Sequence, residues 1–212
     1  MTFVSLTEIN ARVREIIDEI GVNDSEFIDG SDTVRLDQII RGKVEEGVRY
    51  IHNTAPVSLL DGKAMPTEGL TITEDLWGYF ALPSDFMRLV SFQMNEWKLP
   101  AYGVVYEGSR EYTEQKDVYA RGSYEDPICA VVLNNSGGKN FEFYSCQTID
   151  AKPSISLYLP WAKIETKNNI EGIEICDKLV EAAMYQIAGL VLVTYMSQHA
   201  DNLFTLVKTI IG

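Results

Sequence analysis

Apolar residues return every three or four positions at Ile9, Val13, Ile16, Ile17 and Ile20, which predicts an amphipathic helix over about residues 6–20. Ser5-Leu6-Thr7-Glu8 fits a capping box, and Val4 with Ile9 is placed for a hydrophobic staple. Gly21 reads as the helix stop, and residues 21–32 as an acidic, turn-forming loop. A second stripe, Leu36, Ile40, Val44, Val48 and Ile51, predicts a helix from Thr33 to Ile51 that Pro56 keeps from continuing. Gly42 and Gly47 interrupt it, each costing about 1 kcal/mol against alanine. Close approach of another helix would account for them.

The period changes after Pro56. Leu70–Thr73, Tyr79–Leu82, Arg88–Met94, Ala130–Leu133, Phe141–Cys146 and Ile155–Leu159 read as short strands. Asn134 to Asn140 has the composition of a hairpin loop, and Ser109 caps a short helix running to about Val118. Beyond Leu159-Pro160-Trp161 the chain turns polar through Glu165–Asn169. A long helix is then expected over about Glu174–Ala200, followed by an apolar tail or short helix. The expected fold is α+β: N- and C-terminal helices form a helical layer into which an antiparallel β domain is inserted. The domains are 1–56 with 162–212, and 57–161.

Ala182 to Ala200 carries no charged residue, and its nineteen residues would span about 28 Å as a helix. Tyr185, Gln186, Thr194, Tyr195, Ser197, Gln198 and His199 make it too polar for lipid, and no basic cluster follows. A helix apolar on nearly all sides is instead buried on nearly all sides, by its own domain or by neighbouring subunits. Two further readings stay open for the tail, a short helix folded back on the core or a partner-docking element.

The net charge of −13, from 31 acidic and 18 basic residues, is spread along the chain. No basic patch exists to neutralise phosphates, so specific nucleic-acid binding is not expected. Cys129, Cys146 and Cys176 form no CxxC pair and read as buried thiols. His52 and His199 are the only histidines, fit no metal-ligand spacing and read as capping or surface residues. Ser136-Gly137-Gly138-Lys139 lacks the remaining features of a phosphate loop and reads as a turn. No nucleophile elbow occurs, and Glu74-Asp75 or Glu125-Asp126 are arbitrary choices among many carboxylates. No enzyme, cofactor or metal is therefore expected. Trp77, Tyr79, Phe80, Trp97, Tyr102, Tyr106, Tyr112, Tyr119 and Tyr124 enrich the β region, as in cores, interfaces and sugar-binding surfaces.

One resemblance sharpens this picture. Leu82-Pro83-Ser84-Asp85-Phe86-Met87-Arg88-Leu89-Val90-Ser91 opens a turn and an apolar strand. Trp97-Lys98-Leu99-Pro100, Tyr112 and Gln115, Tyr119-Ala120-Arg121-Gly122 and Pro127-Ile128-Cys129-Ala130 follow. Together these resemble the head-to-tail adaptor and neck ring proteins of short-tailed, crAss-like bacteriophages, over roughly residues 80–200. The resemblance implies a structural virion protein without catalysis, assembled in the bacterial host cytoplasm and placed in the neck of the particle. It implies a homo-oligomeric ring, twelvefold like the portal, that contacts the portal and other ring or tail proteins. DNA would pass through without specific binding, and an acidic lumen would keep it from sticking. The assembly interface would draw on Gly189, Tyr195, Gln198, Leu203, Phe204, Val207, Ile210 and Ile211. The rival expectation is a stand-alone β-domain module that binds glycans.

Overall fold

The computed structural model describes residues 1–19, 32–134, 136–195 and 197–212. Ile20, Gly21 and the acidic loop that follows lie outside the described residues, as do Asn135 of the hairpin loop and Met196. The chain is α+β and divides into two compact units. One comprises Met1–Asp61 and Ala162–Gly212, the other Gly62–Trp161.

In the first unit, β1 (Thr2–Ser5) leads directly into α1 (Leu6–Glu19). Ser5 Oγ accepts the Glu8 N–H at 3.1 Å, half of the expected capping box. Leu6, Ile9, Val13 and Ile17 are the buried face. α2 (Asp32–Thr54) buries Ile40, Val44, Val48 and Ile51 completely. α4 (Val180–Thr194), reached after α3 (Arg110–Gln115) of the second unit, lies against α1, α2 and α5 (Ala200–Ile211). The two glycines of α2 part company here. A Cβ on Gly47 would sit 2.6 Å from Ile187 Cγ1 of α4, so this position lets the helices approach, whereas nothing lies within 4 Å of Gly42.

Three expectations for this unit are corrected. β1 was not anticipated. The polar stretch after Trp161 is a hairpin of two strands, Ile164–Lys167 and Ile170–Ile175, and the second also pairs antiparallel with β1. Asn168 and Asn169 take φ of +50° and +63°, the left-handed pair of a tight hairpin turn. The expected helix from Glu174 therefore starts only at Val180. It also ends at Thr194, where the N–H groups of Tyr195 and Ser197 both return to the Leu192 carbonyl.

The second unit has two sheets over one aromatic core. β5 (Phe86–Met94) pairs antiparallel with a strand at Pro153–Pro160, and Lys63–Ala64 joins the far side of that strand. The five-stranded sheet runs in the order Thr71–Ile72, Gly78–Ala81, Lys139–Phe143, Cys129–Leu133, Val104–Tyr106. All its pairs are antiparallel except the last, Val104–Tyr106 with Cys129–Leu133, which is parallel. A parallel pair needs a crossover, and residues 107–128 provide it, carrying α3 (Arg110–Gln115). Phe86, Leu89, Phe92 and Met94 of one sheet meet Phe80, Val131, Phe141 and Phe143 of the other. Phe92 and Phe141 contact edge to face at 4.8 Å. Pro83 starts the expected turn, accepting the Phe86 N–H at 3.0 Å, and Tyr158 Oη donates to the Asp85 carboxylate at 3.1 Å.

Candidate functional site

The residues expected at an assembly interface divide by the geometry of α4 and α5. Leu203 and Val207 are almost wholly buried, and a Cβ on Gly189 would meet the Phe204 ring at 2.6 Å. Gly189, Leu203 and Val207 are thus spent on the chain's own core, with Phe204 half-buried over the glycine. Tyr195 and Ile211 are half-buried, while Gln198 and Ile210 are exposed. Leu206, 46% exposed, lies one turn from Ile210 on the same flank, and Val193 of α4 is exposed as well. Leu206 belongs to the apolar tail already weighed as a docking element, whereas nothing in the sequence singled out Val193. At 100° per residue Leu206, Ile210, Leu203 and Val207 fall on one continuous arc, so the helical period alone does not tell the exposed pair from the buried one.

His52 is not the capping or surface residue expected. It is fully buried, and its Nε2 accepts the backbone N–H of Cys176 at 3.2 Å. Burial drives its pKa down to about 4, with the charge of Asp61 opposing the shift. His199 is exposed, as expected. All three cysteines are buried, and burial pushes Cys146 up to about 12 and Cys129 well above the ordinary thiol value. None of them is a thiolate at neutral pH. Among the described residues, no three His, Cys, Asp or Glu side chains are grouped to hold a metal ion. Among them, too, no helix is long and apolar enough to cross a membrane. Gly137 takes φ +79° and Asn134 Oδ1 accepts the Gly138 N–H at 2.8 Å, so the Ser136–Lys139 stretch is a turn, as expected.

The crossover at 107–128 is braced at several points. Ser109 Oγ caps α3 by accepting the Tyr112 N–H at 3.1 Å. Gln115, almost wholly buried, accepts the Gly122 N–H at 2.9 Å. Arg121 donates to the Asp75 carbonyl at 2.9 Å, and the Ser145 hydroxyl donates to the Gly122 carbonyl. The Lys98 N–H donates to the Tyr124 carbonyl, and the Lys98 ammonium pairs with Glu125. Lys98, Gln115, Arg121 and Gly122 are therefore all held by these bonds.

Lys116 is the central brace. Its Nζ lies 4.7 Å from the ring centre of Tyr112, 5.2 Å from Trp77 and 5.8 Å from Tyr144. It also sits 3.0 Å from the buried Glu142 carboxylate. That carboxylate accepts from the hydroxyls of Tyr144 and Tyr112 too. Burial works against the ammonium, but its bonds to Tyr112 and Glu142 outweigh this and raise its pKa. An ammonium beside three aromatic faces and a carboxylate is a well-satisfied cation site, although 47% of the Lys116 side chain remains in water. Lys116→Met keeps the stem and removes the charge, leaving Glu142 buried beside no cation. Because the ammonium side of the pair is half in water, a loss of about 1 kcal/mol in stability is expected, read by urea unfolding with tryptophan fluorescence. Unchanged stability would show that the cage does not hold the loop.

The tip of this loop points the other way. Asp117 accepts the Tyr119 N–H on its carboxylate at 2.9 Å and the Arg121 N–H on its carbonyl at 2.9 Å, which fixes the turn. Tyr119 is 99% exposed and Val118 65% exposed.

No known protein family matches the chain, and no curated protein matches it either.

Proposed function

We propose that this chain is a ring-forming structural protein of a short-tailed phage neck, joining the portal to the tail around the DNA channel. The observation that carries the reading is the exposed apolar flank of α5, Leu206 and Ile210, beside the face of the helix that already fills the core. An exposed apolar patch on an ordered helix marks a contact surface. The resemblance over residues 80–200 names the kind of assembly, and the acidic excess suits a wall past which DNA slides. In this reading the flank of α5 meets the portal, and the subunits close a ring through a heterologous contact.

Native mass spectra of the chain, alone and mixed with the portal oligomer, test this. A discrete ring mass, or uptake of about one copy per portal subunit, is expected. A monomer that ignores the portal would overturn the reading. Truncation at Asp201 is the wrong tool, because it removes the core residues Leu203 and Val207. Leu206→Glu with Ile210→Glu is the right one. It should leave the far-UV circular dichroism and Tm unchanged and reduce portal uptake at least ~30-fold. Full uptake by the double variant would remove α5 from the interface.

The exposure of Tyr102 and Tyr106 in the β unit favours one other reading, a glycan-binding module. Tight polysaccharide binding by the monomer would decide for it.

A further inference from the structure

We draw no further inference here: the strongest candidate, the exposed surface patch that Val118 and Tyr119 form at the tip of the crossover loop, carries nothing because nothing in the structure shows what covers it.

Discussion

Unfolding free energy is expected to fall by about 3 kcal/mol as the pH drops from 6.5 to 4, through one side chain, His52. The ring is fully buried, and its pKa of about 4 lies below the ordinary value of 6.5, chiefly because burial penalises the cation. The unfolded chain therefore binds the proton first. Above pH 6.5 neither state is protonated and the full stability is present. Between 6.5 and 4 only the unfolded state is protonated, and stability drains away by about 1.4 kcal/mol per pH unit. Below pH 4 both states carry the proton and this contribution is exhausted. Glu96 and Asp177 also hold depressed pKa values, Glu96 through bonds from Thr148 and Gln147 that outweigh its burial and Asp177 through a bond from Thr2. They cost stability in acid as well, so the wild-type slope alone is not diagnostic. His52→Gln places an amide oxygen where Nε2 accepts the Cys176 N–H, and it cannot titrate. Urea unfolding of both proteins between pH 4 and 7 should show a wild-type slope steeper by the His52 share. Parallel curves would mean that His52 does not titrate as its burial requires.

The second large effect is expected at Gly78. A Cβ there would lie 2.3 Å from Cζ and 2.7 Å from Cε2 of Phe143, and 2.9 Å from the Thr71 carbonyl oxygen. Gly78 and Phe143 are directly opposed across the sheet, so the ring lies over the bare glycine. Phe143 is completely buried and contacts the rings of Phe80, Phe92 and Trp97. Gly78→Val must push that ring out of the core or part the two strands. Either route costs about 3–5 kcal/mol, or roughly 10–15 °C in Tm for a chain of this size. Gly103→Ala is the control, since nothing lies within 4 Å of that position. Its effect should stay within about 0.5 kcal/mol. Scanning calorimetry of the two variants checks both figures. A Gly78→Val protein as stable as the control would mean that Phe143 repacks freely.

The elements that announced themselves were those in which one period or one turn decides. α1 and α2 follow from isoleucine and valine stripes that stay buried as the period requires, and β5 follows from the turn at Pro83. The strands at 164–167 and 170–175 escaped notice because Glu165, Thr166, Lys167 and Glu171 break the apolar alternation that marks a strand. Only the consecutive asparagines signalled the turn between them. β1 escaped because Ser5 reads equally well as the last residue of a strand and the cap of a helix, and it is both. The uncharged run from Ala182 hid the break after Thr194, since a helix and a turn look alike when neither shows a charge. At the candidate surfaces, hydrophobicity pointed to α5 but could not say which residues the core had already taken. The cage around Lys116 was beyond reach. It assembles Trp77, Tyr112 and the Glu142–Tyr144 stretch from three separated places, and no local period records that.

The order in which the first unit is strung along the chain sets a clock on its folding. Its early helices are finished by Thr54, yet α4, against which α1 and α2 lie, begins only at Val180. At roughly 5–20 residues per second on the ribosome, the stripes of Ile9, Val13, Ile40, Val44 and Val48 wait about 6–25 s for their partner to be made. Meanwhile Gly62–Trp161 emerges as a compact unit of its own and can fold first. The helices translated earliest are thus the last to be covered. Soluble yield in the cell will depend on what shields them in that interval as much as on how stable the finished protein is.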